Sequence, residues 1–193
     1  VSWSFISWSF GVRVYPEGFV FDVAGSSIFG SSKTTDELAA LLCSTVAPAL
    51  MGYLNPTLNF QVGNIASIPV IGAKDVGQLS QQCQENAKSD WDSYETSWDF
   101  QSLPLLTASS DPTPTLESSY TAWTRENRDT IAEMKRLEEE NNRLFIDAYG
   151  LADELTPDVP IEQITLTVNP AYRYGIKKSA EERDIRFRED TLQ

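Results

Sequence analysis

Histidine is absent from all 193 residues. That removes imidazole acid–base catalysis, serine–histidine triads and most zinc sites. Chemistry within this chain would have to come from carboxylates, Lys, Tyr or Cys. Cysteine is nearly absent too. Cys43 and Cys83 stand far apart in helix-like segments, which reads as two buried free thiols of a cytosolic protein, with a disulfide as the alternative. Basic residues are scarce: 15 Lys and Arg against 28 Asp and Glu leave a net charge of −13. Such a balance opposes a free-standing nucleic-acid binder, because phosphate contacts need a basic footprint. No run approaches the ~18 consecutive apolar residues of a membrane span, so no membrane partner is expected. The start Val1-Ser2-Trp3 has no initiator Met, no basic n-region and no cleavage site, which suggests a piece of something longer without a secretory signal.

What is present suits a globular core: 41% apolar and 11% aromatic residues, too many for disorder. The acidic burden is uneven. Residues 1–75 carry three basic and five acidic side chains, whereas residues 76–193 carry twelve and twenty-three. The first part is therefore the only one that phosphate would not strongly repel.

Along the chain, Ser2-Trp3-Ser4-Phe5 and Ser7-Trp8-Ser9-Phe10 alternate Ser with aromatics, which is strand chemistry with a bulge near Ile6. A turn at Tyr15-Pro16-Glu17-Gly18 leads to an expected apolar strand, Phe19-Val20-Phe21. Thr35 reads as the N-cap of a helix with acids in its first turn. Pro48 should kink or split that helix near residues 45–47. Asn55–Val70 then alternates Leu58, Phe60 and Val62 against Asn59 and Gln61, as a half-buried strand would. Residues 74–96 read as a helix, with Trp91, Tyr94, Trp98 and Phe100 as an aromatic cluster at its end. Residues 102–115 are a Pro/Ser/Thr-rich linker. From Leu116 an apolar stripe runs through Tyr120, Trp123, Met134, Leu137 and Leu144, predicting one helix of roughly 30 residues that stops at Gly150. Asn127 and Asn141 in the stripe suggest a specified register. Ile161–Val168 reads as a short strand, and the tail from Ile176 as a solvated helix or frayed end.

Two segments imitate methyltransferase motifs. Phe21–Phe29 lacks the second glycine of a cofactor loop, and Asn169-Pro170-Ala171-Tyr172 lacks the second proline of an adenine-holding Asn-Pro-Pro-Tyr. A turn ending a strand is the simpler reading of the latter. Neighbouring acids such as Glu138 and Glu139 point apart on a helix and share no site, and no EF-hand spacing exists. The chain is therefore expected to carry no catalytic and no metal-binding residues. The amides and hydroxyl of Asn55, Thr57, Asn59, Gln61 and Asn64 have two readings. They are turn formers facing solvent, or they are base and phosphate contacts, since Asn and Gln pair bidentately with adenine. Arg13, Lys33, Ser26 and Ser27 lie in the same part and would be the natural phosphate contacts.

The blocks Arg13–Phe29, Leu41–Thr45, Asn55–Val70, Trp91–Phe100 and Leu144–Tyr174, in that order, resemble the C-terminal half of PglX-type adenine-specific DNA methyltransferases of bacteriophage exclusion systems, also described as methylase subunits of type II restriction enzymes. Asn55–Val70 is similar to the segment that closes their target recognition domain. The resemblance implies an α+β fold: a small β-rich half-domain for target recognition (1–75), a connecting helix and aromatic cluster (76–101), the linker (102–115) and a mainly helical region with one long amphipathic helix (116–193). It implies a cytoplasmic fragment that reads double-stranded DNA, chiefly through Asn59 and Gln61. S-adenosylmethionine and the chemistry would sit in a catalytic domain of the same polypeptide, and other phage-defence subunits are further expected partners. Cys43-Ser44-Thr45 departs from the Asn-Ser-Lys-like turn of the family, which removes one expected phosphate contact. The alternative is a structural or interaction module that binds no DNA and offers the stripe around Met134 and Leu137 to a partner.

Overall fold

A computed structural model describes residues 1–109 and 111–192. Ser110, inside the expected linker, and Gln193, in the expected last region, lie outside the described residues. Helix dominates, at 54% of the chain, and among the described residues regular strand is limited to one pair of two-residue segments. The fold is thus mainly helical, and the α+β expectation holds only loosely. Two units are distinguished: Val1–Gln84 with Leu137–Asp158, and Glu85–Arg136 with Val159–Gln193.

The first unit is organised by its N-terminal residues. Strand β1 (Ser2–Trp3) pairs antiparallel with β2 (Val12–Arg13), placing Ser2 opposite Arg13 and Trp3 opposite Val12. The other edge of β1 meets Ser27, with Trp3 N donating to Ser26 O and Ile28 N to Val1 O. At Phe5 the chain changes partner, its N still donating to Ala24 O while its O turns to the segment around residue 60. Phe60 N donates to Phe5 O at 2.7 Å and Ser7 N to Leu58 O at 3.1 Å. Ile6, where a bulge was expected, therefore bridges Asn59.

Helix α1 (Ser32–Cys43) is capped by Ser31, whose Oγ accepts from Thr34 N, rather than by Thr35, which is already inside the helix. The break expected from Pro48 is present. Helix α2 (Val46–Leu54) begins after Ser44-Thr45, and the two helices meet at 74°. Pro48 sits in the first turn of α2, where its missing N–H costs no helical bond. Helix α3 (Val62–Ala66) follows, and then α4 (Val76–Asp92).

The long helix α5 (Leu116–Tyr149) has 34 residues and ends as expected at Gly150, whose φ is +67°. Leu151 N reaches back to Ile146 O and Gly150 N to Asp147 O, the paired closure that a left-handed residue permits. Trp3, Leu41, Val46, Met51, Phe60 and Phe145 are central to the core of this unit. Two asparagines of α5 serve as staples. Asn141 Nδ2 donates to Ala40 O at 2.8 Å. Asn142 Oδ1 accepts from Thr45 N at 2.9 Å while its Nδ2 donates to Pro157 O. Tyr149 donates to Pro69 O and accepts from Ile71 N, which fixes the exit from the Ile68-Pro69 turn.

In the second unit, Asp90 near the end of α4 accepts from Thr167 N at 2.7 Å and Val168 N at 3.0 Å. The expected strand Ile161–Val168 is absent: those amides are taken by a carboxylate, and Ile161–Gln163 forms a single 3-10 turn. Asn169 is 1% exposed and wholly occupied. Its Oδ1 caps α6 (Pro170–Tyr174) by accepting from Ala171 N, and its Nδ2 donates to Ile161 O and Ile164 O. The motif imitation at 169–172 is a helix cap. The tail forms α7 (Ala180–Leu192), whose Phe187 is 2% exposed and stacks on Trp123 at 5.6 Å.

Three further expectations fail. Phe19, Val20 and Phe21 form no strand and are exposed. The aromatics after α4 do not cluster: Trp91 and Trp98 are exposed, Trp98 completely. Neither cysteine is in a disulfide, but they are not buried as a pair, for Cys43 has accessible surface and Cys83 is half-buried. Among the described residues no single helix is long and apolar enough to cross a membrane.

Candidate nucleic-acid interface

Asn55–Val70 is not a strand. Its first half is a bridged turn and its second half is α3. The helix wins because Gln61-x-x-Asn64 is a reciprocal N-terminal signal: Asn64 Oδ1 accepts from Gln61 N at 3.3 Å. The expected alternation survives over only three residues. Phe60 is 6% exposed and points into the core, whereas Asn59 and Gln61 face solvent. Leu58 and Val62, expected on the buried side, are exposed.

The five polar residues of this segment divide by what their side chains do. Asn55 Nδ2 donates to Asn59 O at 2.6 Å, Thr57 Oγ1 donates to Asn55 Oδ1 at 2.7 Å, and Thr57 Oγ1 accepts from Asn59 N at 3.3 Å. Asn55 and Thr57 thus build the turn, and Asn64 caps α3. The Gln61 side chain completes the reciprocal cap by accepting from Asn64 N, which leaves the side-chain amide of Asn59 without a partner among the described residues. Asn59 can give one donor and one acceptor, the pattern that pairs with an adenine edge, and Gln61, exposed two residues on, keeps its Nε2 donor. The backbone between them is held from below, because Trp3 Nε1, itself buried, donates to Phe60 O at 2.8 Å. Trp3 is the residue that sequence reasoning passed over. Its signal was there in the Ser–aromatic alternation that placed it on a strand.

The other site residues are brought together only in part. Arg13 and Ser27 lie opposite Ser2 on the two edges of β1. Arg13 is exposed and makes no ion pair among the described residues, although its Nη1 donates to Val12 O at 2.7 Å. Ser26 and Ser27 are half-buried, and their hydroxyls donate to Val23 O and Gly25 O. Binding phosphate through them would require those bonds to open. Lys33, at the start of α1, stands apart, 4.0 Å from Glu37.

Electrostatics weigh against phosphate here. The first unit contains Leu137–Asp158, so it holds twelve acidic and four basic side chains, a net of −8. Glu138 is pushed up to about 7 by burial, with Arg13 pulling the other way. Cys43 is raised to about 11, chiefly by burial of its thiol, whose Sγ lies 3.9 Å from Val12 O. The residue as a whole is exposed, and it is the packing around its thiol that raises the pKa. A thiol this reluctant to ionise is no nucleophile.

No family model matches the chain. Two relatives do, and both are adenine-specific methyltransferases. The first, PglX of Lacticaseibacillus casei (strain Zhang), is 36% identical over 164 residues, 82% of this chain but 14% of that protein. The second, BrxX of Escherichia coli O9:H4 (strain HS), is 29% identical over 199 residues, 99% of this chain and 16% of that protein. The chain belongs with the PglX-type adenine-specific methyltransferases and spans about one seventh of the length of these relatives.

Proposed function

We propose that this chain is the DNA-recognition part of a PglX-type N6-adenine methyltransferase of a phage-defence system, with methyl transfer from S-adenosylmethionine performed elsewhere in the polypeptide. The observation that carries this reading is the exposed, unpartnered amide of Asn59, with exposed Gln61 two residues on keeping its Nε2 donor while its oxygen caps α3. They stand on backbone immobilised by Trp3, Asn55 and Thr57. Base readers need this combination of free polar groups and a rigid support. With a net charge of −8 on its unit, the loop relies on the rest of the enzyme for most phosphate contacts. A photo-reactive residue substituted at Asn59 in the full-length methyltransferase cross-links to duplex DNA, and one at Asp153 does not. An active enzyme giving no DNA cross-link at 59 or 61 contradicts the reading.

The alternative of a free apolar stripe loses its motive. Met134 and Leu137 are 7% and 1% exposed, each buried by this chain itself. A different surface favours a protein contact: Val20 is 97%, Val23 80% and Phe29 71% exposed, apolar side chains that gain by burial against a partner. The proposed partner of that face is the remainder of the same polypeptide. Hydrogen exchange across residues 19–29 should be slower in the full-length protein than in this chain, and equal exchange would count against it.

A further inference from the structure

Ile6 stands directly across from Asn59 in the short antiparallel bridge of the first unit. The bonds on either side of it, Phe60 N to Phe5 O and Ser7 N to Leu58 O, make Ile6 and Asn59 a non-hydrogen-bonded pair. In such a pair the two backbones approach most closely, to about 4.5 Å between Cα atoms, and both side chains leave one face. Phe5 and Ser7, which alternate with Ile6, are half-buried, so the Ile6 face is the solvent face. Ile6 is 67% exposed there. The backbone groups of Asn59 are already used, since its N–H donates to Thr57 Oγ1 and its carbonyl accepts from Asn55 Nδ2. What this point of the surface offers is therefore two side chains, one amide and one apolar.

A scattered surface isoleucine means nothing by itself. This one is held against the amide that supplies one donor and one acceptor. An adenine read by asparagine through N6 and N7 is paired with a thymine, whose C5-methyl lies on the same major-groove edge. That methyl is the apolar group which base edges present in the groove, and the groove admits a two-stranded ribbon. Neither side chain is charged, and the unit carries a net of −8, so base edges match this face better than phosphates do.

We propose that Ile6 and Asn59 read one A·T pair together, with Asn59 on the adenine N6 and N7 and Ile6 packed on the C5-methyl of its thymine. The inference rests on the reading of Asn59 as a base contact. Ile6 is in this account a specificity residue and touches no reacting atom.

The probe is a duplex carrying the site that the full-length methyltransferase modifies, as located by methylome sequencing. Each thymine of the site is replaced in turn by deoxyuridine, which lacks only the methyl, and methyl transfer is measured as kcat/KM. At one thymine the replacement should lower kcat/KM about fourfold, the worth of one buried methyl group. Its adenine should be the one whose selection Asn59→Ala relaxes. Ile6→Ala should erase the thymine–uracil difference at that position, whereas Ile6→Val, which keeps a branched methyl, should retain it. A ratio of two rates from one variant does not depend on how much of that variant is folded. If Ile6→Ala does not turn over, the ratio of duplex Kd values replaces it. Equal rates of the parent enzyme on thymine and uracil, or an undiminished penalty in Ile6→Ala, overturn the Ile6 contact even where Asn59→Ala relaxes adenine selection. If Asn59→Ala leaves every position selected as before, the assignment of Asn59 as a base reader fails and the Ile6 contact falls with it.

Discussion

Trp3 Nε1 donates to the carbonyl of Phe60 at 2.8 Å across 57 residues of chain. The bond joins the first strand to the backbone between Asn59 and Gln61. Trp3→Phe keeps most of the ring volume but leaves a buried carbonyl unsatisfied, at a cost of about 1–3 kcal/mol. Urea unfolding of this chain should show that loss, and methylation by the full-length enzyme should lose site preference along with it. A Trp3→Phe protein of unchanged stability would show that the loop is held by something else.

Asp36 is 6% exposed and takes Gln81 Nε2 at 2.7 Å and Gln84 Nε2 at 3.0 Å. A buried carboxylate is tolerated only while such donors remain. Gln81→Ala should cost about 1–3 kcal/mol. In Asp36→Ala the same change should cost much less, since the acceptor is gone. A double-mutant cycle measures that coupling directly.

How much of this was readable beforehand depended on how local the signal was. The split at Pro48, the stop at Gly150 and the length of α5 follow from one residue's backbone chemistry or from a long period, and all three are present. The strands at 55–70 and 161–168 failed for a shared reason. Apolar or β-branched residues favour extended backbone, but Asn64 takes an N–H at one place and Asp90 takes two at the other. Side-chain capture of a backbone donor competes with a ladder, and in the case of Asp90 the captor lies 77 and 78 residues away. The same holds for the site. Its residue types could be read, but not that Asn55, Thr57, Asn64 and the side-chain oxygen of Gln61 are spent on the turn and the cap while the amide of Asn59 is not.

Asp90 supplies the third prediction. Asp90→Asn places an NH2 group where one backbone N–H donates and removes the charge from the other bond, so about 2 kcal/mol should be lost. Thermal unfolding of the chain tests this. Amide exchange at Thr167 and Val168 should quicken more than elsewhere.

Glu138 gives the chain a pH dependence of known sign. Burial raises its carboxyl from an ordinary 4.5 to about 7, so between these values the folded state holds a proton that the unfolded state releases. Its stabilising contribution is complete below pH 4.5 and is lost as pH rises through 7. Because the group is half-buried, the loss is on the order of 1–2 kcal/mol. Glu138→Gln should therefore unfold at the same denaturant concentration as the parent chain at pH 4.5 and at a higher one at pH 8. Equal midpoints at pH 8 would place the carboxylate in solvent.

The central claim is that Asn59 and Gln61 read bases for chemistry performed elsewhere in the polypeptide. The most direct measurement is methylome sequencing of cells carrying the full-length methyltransferase with Asn59→Ala, Gln61→Ala or both. The account predicts retained protein levels with relaxed or abolished preference at one or more positions of the methylated site. Lys33→Ala, away from the loop, should leave the site unchanged. A double Asn59/Gln61 variant that methylates the same sequence with the same selectivity as the parent would contradict it.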